Sequence, residues 1–165
     1  MKSDLESFGQ PDHSRWMREA VKEARLAEAK DEVPIGCVIV QNGVVIGRGH
    51  NQTESLQDPT AHAEMIAITA AATTLSSRRF LDCSLYVTLE PCAMCAGAIV
   101  LSRIPLVVYG AADPKAGAVQ TLYSLLSDVR LNHTCQVMAG VAEAECSTIL
   151  SDFFARLRLQ KKNEQ

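Results

Sequence analysis

No apolar run in this 165-residue chain reaches the ~18 residues that a membrane-spanning helix requires, because Gly, Pro or charge interrupts each one first. The opening segment, MKSDLESFGQPDH, lacks the apolar core and the small-residue cleavage site of a secretory signal. A cytoplasmic, reducing setting is therefore expected, in which the six cysteines stay as thiols or bind metal rather than pair as three disulfides. An excess of basic residues is missing too. The 16 Lys and Arg against 19 Asp and Glu leave a net charge of −3, which mildly opposes a partner held by bulk phosphate neutralisation. Local basic patches stand at Arg78 with Arg79 and along Arg156, Arg158, Lys161 and Lys162; taken alone, each reads as a solvated face or a frayed tail. Linkers, repeats and low-complexity tracts are absent as well. What is present, 47% hydrophobic and 21% charged residues, suits one ordinary globular domain with a sizeable core.

Residues 1–13 read as a polar lead-in and residues 14–160 as the single domain. From Ser14, Trp16, Met17, Ala20, Val21, Ala24 and Ala27 recur at helical spacing, with Asp12 or Ser14 as the cap. Ile35–Val40 and Val44–Gly49 are β-branched runs joined by Gln41-Asn42-Gly43, a hairpin signal because both turn positions favour positive φ. Asp58-Pro59-Thr60 reads as the start of a second helix running toward Leu75. Strands are expected at Leu85–Leu89, Leu106–Tyr109 and Gln136–Met138, and helices at Cys92–Leu101, Val119–Leu126 and Glu143–Leu159. A hairpin followed by alternating helices and strands predicts a layered α/β domain with a mixed sheet between helices.

Two segments carry chemistry. Thr60-Ala61-His62-Ala63-Glu64 opens a helix, and Glu90-Pro91-Cys92-Ala93-Met94-Cys95 turns a strand into a helix. Cys92 and Cys95, three apart, project from one face near the positive helix end, where the thiolate is favoured. His62 can add a neutral imidazole. Three protein ligands leave the fourth position of a tetrahedral Zn2+ site to water, as catalytic rather than structural sites do. Two thiolates neutralise the ion, so it acidifies water less than a three-histidine site would, and Glu64 is the expected proton carrier. The alternatives are a redox Cys pair, or a non-catalytic zinc module closed by Cys37, Cys83, Cys135 or Cys146. The latter four sit singly among apolar neighbours, where free cysteine behaves as a small core residue.

His62, Glu64, Pro91, Cys92 and Cys95 match the H-x-E…P-C-x-x-C signature of the zinc nucleobase deaminases. Longer strings narrow the likeness: Glu32-Val33-Pro34-Ile35-Gly36, Asp58-Pro59-Thr60-Ala61-His62-Ala63-Glu64, Tyr86-Val87-Thr88-Leu89-Glu90-Pro91-Cys92, Cys95-Ala96-Gly97-Ala98 and Leu150-Ser151-Asp152-Phe153-Phe154. From about Val33 to Phe154 the chain resembles the bacterial tRNA-specific adenosine deaminases. That resemblance implies a three-layer α/β/α, cytidine-deaminase-like fold with a five-stranded mixed sheet, and a homodimer. It also implies conversion of adenosine to inosine at wobble position 34 of a tRNA anticodon. It places Asn51, Ala63 and Pro91 with the backbone near Cys92 at the base, Asp113 near the substrate backbone, and Phe153 with Phe154 near the splayed anticodon loop. Ala112 departs from the basic residue expected beside Asp113. The same zinc chemistry would also serve a deaminase of free guanine, cytosine or a nucleoside.

Overall fold

The computed structural model describes residues 12–164. Of the expected lead-in, residues 1–11 lie outside the described residues. Helix α1 spans His13–Glu28, and of the two candidate caps it is Asp12 that accepts the Arg15 N–H at 3.0 Å. Strands β1 (Gly36–Gln41) and β2 (Val44–His50) form the expected hairpin, with Asn42 at φ 50° and Gly43 at φ 73° in its turn.

The segment after the hairpin differs from expectation. A short helix α2 (Thr53–Leu56) intervenes, and α3 (Ala63–Leu75) starts with His62 as its cap rather than at Asp58. Asp58 spends its carboxylate on the Thr60 N–H at 2.8 Å and the Thr60 hydroxyl at 2.7 Å, so it closes a local turn instead of a helix. Strand β3 (Cys83–Leu89) leads into α4 (Ala93–Ser102), and β4 (Leu106–Ala111) follows. The expected helix at Val119–Leu126 shrinks to a 3-10 turn, Leu125–Ser127. Its first residues instead donate backbone N–H groups to the Glu90 carboxylate, which offers them a partner outside a helix. Strand β5 (Gln136–Ala139) and helix α5 (Glu143–Asn163) complete the chain.

The five strands make one mixed sheet in the order β2-β1-β3-β4-β5. β1 runs antiparallel to β2 and β3, while β3, β4 and β5 are parallel. The period of two along each strand splits its side chains between two cores. Ile39, Leu85, Val87 and Val107 pack with Ala63, Ala67 and Ile99 of α3 and α4. Val38, Tyr86 and Val108 pack with Met17, Ala20 and Ile149 of α1 and α5. Helices on both faces of a five-stranded mixed sheet give the α/β/α architecture that the sequence pattern and the resemblance anticipate.

Pairing of Gly36 with His50 and of Cys37 with Val87 brings the start of β1, the end of β2 and the end of β3 to one edge. Small residues set how α3 meets that edge. A Cβ at Gly49 would lie 2.3 Å from the Ala63 carbonyl oxygen and 2.7 Å from the Ala67 nitrogen. Gly49→Ala should therefore push the first turn of α3 outward and cost about 1–3 kcal/mol, an overpacking penalty. Urea unfolding checks this: the midpoint should fall, and an unchanged midpoint would show that α3 is not seated on Gly49.

Candidate metal centre and active site

Two helix starts converge at the C-terminal edge of β3. His62 caps α3 and Cys92 caps α4, both with extended backbone, and Cys95 lies three residues into the latter. The sequence reading placed Cys92 inside its helix; as the cap, it reaches the same side as Cys95 from just outside. The His62 Nδ1 atom is 3.6 Å from the Cys92 Sγ and 3.6 Å from the Cys95 Sγ. One ligand atom from each residue falls within 4.8 Å of the others, so the three form a cluster able to hold a metal ion. Two sulfurs and one nitrogen at such spacings suit a tetrahedral ion that keeps a position open. No fourth His, Cys, Asp or Glu joins this cluster among the described residues. Cys37, Cys83, Cys135 and Cys146 are free thiols outside it.

The electrostatics of the trio divide its protons. The Cys95 thiol and the His62 ring both stabilise the Cys92 thiolate and pull Cys92 down to about 4, against the desolvation that opposes ionisation. Cys95 is raised instead, first by its hydrogen bond to Cys92 and then by burial. The Cys92 partner also raises the His62 imidazole. Each helix start adds a partial positive charge that favours anionic sulfur.

Glu64, only 4% exposed, follows His62 by two residues and lies within hydrogen-bond reach of Cys95. Burial pushes its carboxyl up to about 7, and the Cys92 charge pushes the same way. A carboxyl poised there can both take up and return a proton near neutrality.

The other expected site residues divide. Asn51 is buried at the end of β2, where its N–H donates to the Ile35 carbonyl at 3.1 Å, and the next residue donates to the Ala61 carbonyl at 3.0 Å. That pairing sets Asn51 beside the turn that delivers His62. Ala63 and Pro91 are buried, so each can act on a ligand only through its backbone. The Asp113 carboxylate accepts the Lys115 N–H at 2.9 Å and the Ala116 N–H at 3.2 Å, holding a turn. Phe153 is 1% exposed and belongs to the core beneath α5, whereas Phe154 is 43% exposed. The structure thus brings Phe154, and not Phe153, to the surface: the two rings meet edge to face at 5.5 Å. A groove of about 500 Å³ lies at this edge, lined by Val33, Ile35, Leu89, Asp113, Pro114 and Phe154. A neighbouring depression of about 480 Å³ is bordered by Lys115, Arg158 and Lys161, which concentrate positive charge on a chain of negative net charge.

Two buried carboxylates near the site were given no role by sequence reasoning. Glu32 accepts the Ser55 N–H at 2.5 Å, the Ser55 hydroxyl at 2.8 Å and the Glu54 N–H at 3.3 Å, tethering α2 just after Asn51. Glu90 binds the loop beyond β4. Their only advance signal was a charged residue at the border of an apolar segment, inside the strings that carry the family resemblance.

A His/Cys/Cys cluster capping two helices over a mixed sheet, with a buried glutamate beside it, defines the class of the nucleobase deaminases. Comparison with known proteins agrees. The family model for MafB19-like deaminases matches residues 11–158. The tRNA-specific adenosine deaminase of Bacillus subtilis is 54% identical over 147 residues, covering 89% of this chain and 91% of that protein. A solved structure from work on A-to-I editing by tRNA:A34 deaminases at the wobble position superposes with a TM-score of 0.80 and 47% identity, covering 83% of this chain and 99% of the other. Guanine deaminase from Bacillus subtilis is similar at 40% identity and a TM-score of 0.59, over 61% of this chain and 65% of its own. The chain belongs to the tRNA-specific adenosine deaminase family and matches the MafB19-like deaminase model.

Proposed function

We propose that this chain is a zinc-dependent hydrolase that converts adenosine to inosine at position 34 of a tRNA. The observation that carries the chemistry is the His62–Cys92–Cys95 cluster with buried Glu64 at its side. His62, Cys92 and Cys95 are the ligands, and bound Zn2+ supplies a Lewis-acidic centre that makes water a stronger acid. Glu64 takes the proton from the attacking water. It delivers that proton to ring nitrogen 1, then takes the proton of the hydroxyl now on carbon 6 and passes it to the amine as the carbon–nitrogen bond breaks, so that water and adenosine balance against inosine and ammonia. Burial supports this, because a carboxyl held near 7 changes protonation state with little driving force in either direction.

The flipped base is held by the Asn51 amide and by the backbone around Ala63, Pro91 and Cys92. Asp113 shapes the neighbouring loop, and the exposed Phe154 offers a stacking face for an unpaired nucleotide. Lys115, Arg158 and Lys161 attract the phosphates, so a short anticodon loop needs no basic protein overall. Two copies pair as a homodimer, consistent with an unpartnered apolar position such as Leu101 on α4, which is 72% exposed. The enzyme acts in the cytoplasm; no helix among the described residues is long and apolar enough to cross a membrane.

The rival substrate is a free base, a reading favoured by the likeness to guanine deaminase. Purified protein is incubated in parallel with an A34-containing anticodon stem-loop, guanine and cytosine. Inosine in the RNA without ammonia from the free bases is expected. Ammonia from guanine or cytosine with no inosine in the RNA overturns the substrate assignment.

A further inference from the structure

Glu90 follows β3 directly, two residues before Cys92, and is 2% exposed, yet among the described residues no cationic side chain meets its carboxylate. One oxygen, Oε1, accepts the N–H groups of Val119 at 3.2 Å, Gln120 at 2.8 Å and Thr121 at 3.0 Å. The other, Oε2, accepts the Asp113 N–H at 3.0 Å and the Thr121 hydroxyl at 2.5 Å. A buried carboxylate is costly unless donors surround it, and here every donor comes from a single loop. That loop fits the carboxylate closely. A Cβ on Gly117 would lie 2.2 Å from Oε2, so only glycine lets the chain pass. Main-chain contacts continue the seam: the Ala118 N–H donates to the Pro91 carbonyl at 2.9 Å, and Gly117 pairs with Cys92. The front limb, Asp113 to Lys115, borders the groove beside Phe154.

We propose that Glu90 is a positioning residue for the nucleic-acid substrate. Its carboxylate folds the Asp113–Thr121 loop onto the Cys92 end of the site, fixing the limb that receives the RNA. It acts on how the substrate is held, not on the metal or on proton transfer. This assignment rests on the tRNA reading above. The two carboxylate oxygens divide the loop, which makes the idea separable: Oε1 accepts from the rear limb alone, whereas Oε2 is the one that reaches the groove-facing limb at Asp113 and also accepts the Thr121 hydroxyl.

Glu90→Gln keeps one acceptor for the rear limb but turns an NH2 toward the Asp113 N–H, which then has no acceptor. Thr121→Val removes only the hydroxyl bonded to Oε2 and sits at an exposed position, so it should fold. For the A34 stem-loop, Glu90→Gln should raise KM about tenfold, the scale of one lost charge-assisted hydrogen bond. Its kcat should stay within about twofold and its metal content should be unchanged, with Thr121→Val shifting KM the same way but less. Hydrogen exchange without RNA should show faster exchange at residues 112–116 in Glu90→Gln, with β3 and α4 unaltered. Unchanged exchange there overturns the proposal, as does a fall in kcat or metal content at constant KM. If the wild type forms no inosine, the substrate reading fails by itself, and the exchange result still decides whether Glu90 holds the loop.

Discussion

Glu64→Ala should lower turnover by roughly 10²–10⁴-fold while leaving the metal in place, the range that general acid–base groups contribute. The size follows from how isolated Glu64 is. It is 4% exposed at the first turn of α3, so bulk water cannot readily take over its proton transfers. Glu64 is not one of the three donors, and its removal leaves His62, Cys92 and Cys95 at their helix starts. Glu64→Gln sharpens the result, because it preserves volume but cannot accept a proton. Single-turnover inosine formation measures the loss, and elemental analysis measures the metal. Activity within about tenfold of wild type would show that another group moves the protons. Loss of metal in either variant would make Glu64 a ligand instead.

Cys92→Ala and Cys95→Ala should each abolish activity by emptying the site, taking metal content from about one ion per chain to near none. Two remaining donors cannot hold Zn2+ as three do, and the surviving thiol loses the partner that tuned it. Folding should survive in Cys92→Ala, because Cys92 is a half-buried cap whose side chain makes no capping bond. Cys95 is fully buried, so its alanine variant should lose some stability as well. Cys135→Ala is the control: it lies outside the cluster and should keep its metal. Full occupancy in both cluster variants would remove the proposed ligand set.

Much of this was legible in the chain. The hairpin could be read from Asn42-Gly43, because positive φ at consecutive positions is a local requirement. The His62–Cys92–Cys95 trio could be read from donor types and spacing, since few arrangements satisfy a tetrahedral metal. Helix starts were less legible. Asp58 has the chemistry of a cap, but it bonded Thr60, and α3 began at His62. The expected helix after Val119 was lost to a tertiary partner: Glu90, 29 residues earlier, captured its N–H groups. Nothing in a local window reveals such a bond. Phe153 and Phe154 could not be told apart for a related reason, because adjacent residues on α5 point to different sides, and only packing decides which is buried.

The glutamates make the same point about function. Glu64 was found through its neighbour His62, while Glu32 and Glu90 bind segments far along the chain, α2 and the loop beyond β4, and carry no motif of their own. All three border a site assembled from helix starts and loops at one sheet edge, where the layered core holds the reacting groups in register.

The substrate assignment meets its most direct test in one intact tRNA whose anticodon begins with adenosine. After incubation with the zinc-loaded enzyme, nuclease digestion and mass spectrometry locate every inosine. The account predicts inosine at position 34 alone, with all other adenosines intact and none converted by Glu64→Ala. Unaltered adenosine 34 in the presence of metal-replete, folded enzyme would contradict it.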